Sequence, residues 1–237
     1  MKTSIPSIIH YCWMSNDPWD DKTNMCFNSW KKFIPTFEYK LWNSKTLPLE
    51  VLNIPSVQNA LKAKKWAFVA DYVRIWALYN YGGLYMDLDV ELIKSPSDLF
   101  NNQIIFGLEK DQIGAHFIAS TPKNEFIGYV LEKLKDKKNF MPLPQYISEC
   151  YVDFFNRKIT AGVFNEVTIY PNDYFNPFFW NKESQEGKLN ITHNTYCVHW
   201  YAGSWIPKYK KTKIYKLFIQ ILNYTRILKI LRKLRVY

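Results

Sequence analysis

The chain has 237 residues, 48% of them apolar, enough to build the core of one domain and to exclude global disorder. Its formal net charge of +10 would suit a nucleic-acid binder, but ten basic and no acidic residues lie between Lys208 and Tyr237. The remaining 21 basic residues are matched by 21 acidic ones, which argues against nucleic acid as a partner and confines the excess to a local contact. The four cysteines, Cys12, Cys26, Cys150 and Cys197, show neither CxxC nor other metal-ligand spacing. A reducing compartment is the simpler expectation. Met1 to Pro6 lacks the apolar stretch of a signal peptide, and no run reaches the roughly 18 apolar residues needed to span a bilayer. A cytoplasmic protein is expected, one able to rest on the inner face of the membrane.

In chain order, Ser7 to Trp13 reads as a buried first strand that runs into a loop of Ser, Asn, Asp and Pro. Met25 to Phe33 reads as a helix ended by Pro35, and Phe37 to Trp42 alternates as a second strand. Strand, helix and strand at this spacing make a βαβ start and favour an α/β sheet. Between Val57 and Asn80, apolar residues at steps of three and four (Trp66, Val69, Ala70, Val73, Ala77 and Leu78) predict one long helix closed by Gly82-Gly83. Leu84 to Val90 and Ile104 to Leu108 read as strands, and Glu125 to Lys137 as a helix. The aromatic stretch 140–180, with Pro142, Pro144, Pro171 and Pro177, reads as irregular surface elaboration near a site. Tyr196 to Trp200 reads as a last strand, and a basic amphipathic helix is expected from Ile214 onward.

Chemistry concentrates in Gly82-Gly83-Leu84-Tyr85-Met86-Asp87-Leu88-Asp89-Val90. In a strand, residues two apart share a side, so Asp87 and Asp89 project together while Leu88 and Val90 enter the core. Paired carboxylates repel unless a cation or ordered donors intervene, and hard oxygen ligands suit Mg²⁺ or Mn²⁺ held together with substrate phosphates. A solvated strand end carrying two acids is the alternative. Upstream, Asp71 and Arg74 share one helix face, as a structural ion pair or as a pair for sugar hydroxyls and phosphate oxygens. His116, after Glu109 and Asp111, is a further candidate contact residue.

The run Trp66 to Arg74, continued through Gly82 to Asp89, resembles the DXD region of sugar-binding glycosyltransferases. The kin are the capsular-polysaccharide and yeast mannosyltransferase-like enzymes, with the glucosylating clostridial toxins as distant relatives. Ile5 to Trp13 is similar to that family's first strand, and His199 to Trp205 to its C-terminal motif. The resemblance implies a GT-A fold, a Rossmann-like α/β sheet with flanking helices, over residues 1–206. It also implies Mn²⁺ or Mg²⁺, a nucleotide-sugar donor (UDP-linked by preference), and retention of anomeric configuration. Carried onto this chain, Trp13 would stack on the base, and Asp71 and Arg74 would hold the transferred sugar. Asp87 would contact ribose, sugar and metal; Asp89 would be the main metal ligand. Ser204 and Trp205 would close over the diphosphate, and His199 would be a second metal ligand or a phosphate contact.

Residues 207–237 are expected to form a basic amphipathic tail, with Ile214, Leu217, Phe218, Ile221, Leu222, Leu228 and Leu231 near helical spacing. Such a helix can lie in a membrane interface, drawn to anionic lipid, and would bring lipid-linked glycan acceptors within reach. It could instead pack on the domain with a solvated basic face. The function expected is transfer of a hexose or N-acetylhexosamine to a capsule or lipopolysaccharide oligosaccharide. A metal-dependent nucleotide-sugar hydrolase and a non-catalytic carbohydrate-binding protein are the alternatives.

Overall fold

The βαβ expectation at the N-terminus holds. Strand β1 (Ile8–Cys12) is followed by helix α1 (Asp21–Phe33) and strand β2 (Glu38–Trp42), and the two strands pair in parallel from Ile8 with Glu38 to Cys12 with Trp42. Helix α1 starts four residues earlier than Met25 because Asp20 caps it, its side chain accepting from the Thr23 N–H at 2.8 Å. This description comes from a computed structural model that covers residues 4–14, 17–136, 141–180 and 187–202. The basic tail, Ser204 and Trp205 lie outside the described residues.

Helices α2 (Leu49–Leu52), α3 (Pro55–Lys62) and α4 (Trp66–Tyr81) come next. The single helix expected over 57–80 is therefore two. Lys64 adopts the left-handed conformation, with φ of 52°. Around it the Lys65 N–H donates to Ala60 O at 2.8 Å and the Lys64 N–H to Leu61 O at 3.0 Å. These two bonds are the Schellman ending of a helix, normally marked by Gly at the position Lys64 occupies. Apolar periodicity passes through the break unchanged, so the pattern alone does not show it.

Strand β3 (Gly83–Met86) leaves α4 through Gly82, with φ of 63°, and Gly83, with φ of 95°. A Cβ would lie 2.7 Å from the Pro122 ring at Gly82 and 2.5 Å from Ile8 O at Gly83, so the elbow admits no side chain. His10, buried on β1, donates from Nε2 to Gly82 O at 2.9 Å, while its Nδ1 accepts from Trp42 Nε1 at 3.2 Å. The imidazole thereby fastens the first strand to the elbow and to β2.

The chain continues as β4 (Val90–Leu92), β5 (Ile104–Glu109), β6 (Gln112–Ile113), β7 (Phe117–Ser120) and α5 (Glu125–Lys135). It then forms α6 (Leu143–Phe155), β8 (Gly162–Phe164), β9 (Val167–Tyr170), α7 (Asn172–Phe175), β10 (Phe178–Trp180), β11 (Gly187–Leu189) and β12 (Cys197–His199). The main sheet has the order β2-β1-β3-β7-β5-β9-β8, with β6 on β5. It is mixed, which modifies the Rossmann-like expectation. Strands β2, β1 and β3 are parallel, as are β5 and β9, but β7 runs antiparallel to both of its neighbours. The link from β5 to β7 contains no helix, and a parallel return needs a crossover that so short a link cannot make.

Alternation along the strands divides the core. Ile104, Phe106 and Ile118 pack with α4, α5 and α6 on one face. Ile9, Leu84, Ile105 and Phe117 pack with Trp30 of α1 and with Phe175 on the other. The region read as irregular, 140–180, contains the 13-residue helix α6, which begins with Pro142 as N-cap and Pro144 in its first turn. Prolines there start a helix, because the first N–H groups need no partner inside it. The last strand expected at Tyr196 to Trp200 is present as β12, but it pairs antiparallel with β4 in a separate two-stranded sheet.

Replacing Lys64 by Gly is expected to stabilise the protein by about 1 kcal/mol, since a left-handed non-glycine residue costs roughly that much. Equilibrium urea unfolding checks the sign. Burial also pushes the His10 pKa down to about 4 from 6.5. The unfolded chain then takes up the proton first, so the contribution is full above pH 6.5 and is lost as pH falls from 6.5 towards 4, to a total of about 3 kcal/mol. In urea melts at pH 7.5 and 4.5, His10→Gln should lose less stability between the two pH values than the wild type does.

Candidate functional site

Strand β3 ends at Met86, and the chain turns through Asp87, Leu88 and Asp89 before β4 begins. The single strand expected over 84–90 is thus two strands with the acidic pair in the turn between them. The turn is held by the Val90 N–H donating to Asp87 O at 3.0 Å and the Asp87 N–H donating to His116 O at 3.0 Å. Strand alternation therefore does not place the carboxylates, but Leu88 and Val90 are still buried as expected. Asp87 and Asp89 come together with His199, their ligand atoms all within 4.8 Å of one another.

Arg74 lies on α4 with only 6% of its surface exposed. Its Nη2 donates to Asp87 Oδ1 at 3.0 Å and lies 3.4 Å from Asp71 Oδ1, while Nη1 donates to the carbonyl of Ala115. Tyr85 lies beneath, its ring 4.3 Å from the guanidinium carbon and its hydroxyl donating to Asp87 Oδ1 at 3.1 Å. Burial alone would favour neutral Arg74, but the charge of Asp87, the phenol of Tyr85 and the charge of Asp71 together raise its pKa, so it stays charged. Asp71 and Arg74 are hence more than a surface pair. They join α4 to the acidic turn.

His199, the last residue of β12, reaches the same place because β12 pairs with β4, with His199 opposite Val90. Its Nε2 lies 3.4 Å from Asp89 Oδ1, and the Trp200 N–H donates to Asp89 O at 3.0 Å. Burial would lower the His199 pKa, but the hydrogen bond to Asp89 and the charges of Asp89, Asp87 and Glu109 raise it on balance. A gap lined by carboxylates draws a proton to the imidazole as it would draw any other cation. The donor set, two carboxylates and one imidazole, suits a divalent ion such as Mn²⁺ or Mg²⁺, so the residues fit the metal that the sequence implied.

Trp13 follows β1 at the same end of the sheet. His10 is registered with Tyr85, which sets Cys12 level with Asp87 at the carboxyl ends of two parallel strands. The contacts of Trp13 run to Trp42 O through its backbone, to Asp17 O through its indole N–H at 2.9 Å, and to the Trp19 ring. Asp71, Arg74 and Asp87 thus form one linked group, and Asp87, Asp89 and His199 a second that shares Asp87. Sequence reasoning passed over Tyr85 and gave Glu109 no role of its own, although Glu109 ends β5. A polar residue at the carboxyl end of a sheet strand was the available signal. Burial would raise the Glu109 pKa, but the His116 imidazole beside it, the nearby His199 and the hydrogen bond from Tyr201 hold it down at about 2.

Residues 20–115 match the model of the glycosyltransferase sugar-binding region containing the DXD motif. Inositol phosphoceramide mannosyltransferase 3 of Schizosaccharomyces pombe is 32% identical over 92 residues, 37% of this chain. The match spans only 25% of that relative's length. Among solved structures, the PaToxG glycosyltransferase superposes over 65% of this chain and 70% of its own, with TM-score 0.52 and 16% identity, a likeness of fold. The galactosyltransferase LgtC aligns over 83% of this chain and 87% of its own at 11% identity, with a TM-score of 0.46.

Arg74→Met is expected to destabilise the fold by about 2–3 kcal/mol in urea melts, the penalty of leaving a buried pair half removed, reduced because Asp87 is partly exposed. Arg74→Lys should lose less, since it keeps the charge but not the fork that reaches both carboxylates and Ala115 O.

Proposed function

We propose, from the match of residues 20–115 to the DXD-containing sugar-binding region of glycosyltransferases, that the protein moves a hexose or N-acetylhexosamine from a nucleotide sugar to a glycan acceptor with the help of a divalent metal. The observation that carries the reading is the meeting of Asp87, Asp89 and His199 beside the buried charge of Arg74 at the carboxyl end of the parallel strands. A solvated strand end would not bring an imidazole from 110 residues away into the gap between two acids.

In this reading Asp89 and His199 hold the metal, with Asp87 shared between it and Arg74. When bound, the ion neutralises charge that builds on the departing diphosphate. Asp71 accepts from a sugar hydroxyl, and Arg74, fixed by Ala115 O and Tyr85, presents its positive charge without having to reorganise. Trp13 offers a ring for the base. Configuration is retained, with the acceptor approaching the face that the leaving group departs from. UDP sugars are the favoured donors. GDP-mannose is the second choice, since the fission-yeast relative is named a mannosyltransferase.

The acceptor we propose is a surface-glycan oligosaccharide of the capsule or lipopolysaccharide type, carried on lipid. The support is the run of ten basic and no acidic residues from Lys208 to Tyr237, which suits an anionic membrane surface on the cytoplasmic side. No helix among the described residues is long and apolar enough to cross a membrane.

Thermal melts against a panel of nucleotide sugars test the donor, because a ligand that binds only the folded state raises its stability. One nucleotide class should raise the Tm with Mn²⁺ present and not with chelator; a flat panel would remove the donor reading. Asp89→Ala should reduce turnover by about 10²–10³-fold while melting near the wild type. Release of nucleoside diphosphate at a rate indifferent to added glycan would favour a hydrolase instead.

A further inference from the structure

His199 differs in one respect from an ordinary metal-binding histidine. The second ring nitrogen of such a ligand is usually fixed by a carbonyl or carboxylate, which sets the plane of the imidazole. Here Nδ1 of His199 is buried and has no hydrogen-bond partner among the described residues. Two aromatic rings lie against the imidazole instead. The His116 ring lies on one side, with centroids 4.3 Å apart and planes 20° from parallel; Tyr201 is a second ring neighbour, 4.0 Å away and tilted by 36°.

Both rings lie beside one carboxylate, Tyr201 hydrogen-bonded to it and His116 within ion-pair distance only. Tyr201 donates its phenolic proton to Glu109 Oε1 at 3.1 Å, and Glu109 Oε2 faces His116 Nδ1 at 3.7 Å. Each ring has a further anchor. His116 Nε2 donates to Phe175 O at 3.1 Å, and the Tyr201 hydroxyl lies 2.9 Å from the carboxamide of Asn176. A phenol has a single proton, which Glu109 Oε1 and Asn176 Oδ1 are both placed to accept, so the Tyr201 hydroxyl is anchored between the two. Tyr201 also holds a left-handed backbone, with φ of 48°. A bulky residue keeps that conformation only where its surroundings enforce it.

We propose that Glu109 is a positioning residue that fixes the plane of His199 by holding the two rings, His116 and Tyr201, that flank it. The proposal rests on the reading of Asp87, Asp89 and His199 as a metal site. Glu109 takes no part in holding the metal. It supplies through ring packing the orientation that a hydrogen bond to Nδ1 would otherwise give.

Mn²⁺ alone is the probe, read by its affinity and by the nitrogen coupling that an imidazole ligand gives in pulsed electron paramagnetic resonance. The wild type should bind Mn²⁺ with clear nitrogen coupling. Glu109→Ala should still bind through the two aspartates but with Kd raised about tenfold, the usual effect of losing a supporting partner, and with the coupling lost or strongly reduced. Glu109→Gln keeps an acceptor for Tyr201 and should retain the coupling even where loss of charge weakens binding. If Glu109→Ala does not fold, Tyr201→Leu carries the test, since Tyr201 is 40% exposed and the change removes both ring and tie; it too should lose the coupling. Full nitrogen coupling in Glu109→Ala, or in Tyr201→Leu where that variant stands in, overturns the clamp and leaves the metal site intact. A wild type that binds Mn²⁺ without nitrogen coupling, or not at all, overturns the metal reading and the clamp with it.

Discussion

The positive charge of Arg74 is buried between a helix and a sheet, and the site is arranged around the need to compensate it. A guanidinium cannot shed its proton at any ordinary pH, so burial leaves it only partners. Asp87, Asp71 and the Ala115 carbonyl supply them, and the Tyr85 ring covers the planar face. Each partner comes from a different place: the acidic turn, the helix itself and the approach to β7. The charge thereby fixes the distance between α4 and the end of β3. The acidic turn is in turn pinned to the sheet by the Asp87 N–H and to β12 by the Asp89 carbonyl. Electrostatic need and hydrogen-bond geometry together hold the two carboxylates where strand alternation would not.

The same arrangement separates two tasks that a shared acid could confuse. Asp87 faces Arg74 and Tyr85 through one oxygen, so part of its charge is already balanced. Asp89 faces His199, with Glu109 and His116 behind. One half of the site sets a fixed guanidinium between two carboxylates; the other gathers carboxylates around an imidazole.

Legibility in the sequence followed the range of the interactions involved. The βαβ start, the apolar face of α4 and the Gly82-Gly83 elbow depend on neighbours in the chain, and their residues show it. The pairing of Asp71 with Arg74 is also local, one helical turn apart. The break at Lys64 was hidden because a lysine occupies the left-handed position where glycine is the usual marker. Helix α6 was hidden because Pro142 and Pro144 read as breakers, although at a helix start they are neutral. Antiparallel β7 and the ring cluster at Glu109 depend on contacts between distant segments, and residue spacing does not carry those. The motif from His199 onward was visible only through resemblance, and its last members, Ser204 and Trp205, fall outside the described residues.

The pairing of β12 with β4 has a consequence for the order of events in synthesis. Six of the eight strands of the main sheet, the buried arginine and both acidic residues of the turn are present in sequence by Ser120, whereas the imidazole arrives only with the three-residue strand Cys197–His199, after β8 and β9. Closing that contact spans about 110 residues, a long-range closure that is slow relative to local helix formation. A nascent chain emerging from the ribosome can thus hold most of the scaffold while lacking the imidazole that meets Asp87 and Asp89. The final short strand acts as a latch, bringing the imidazole to the acidic turn from the far end of the described chain.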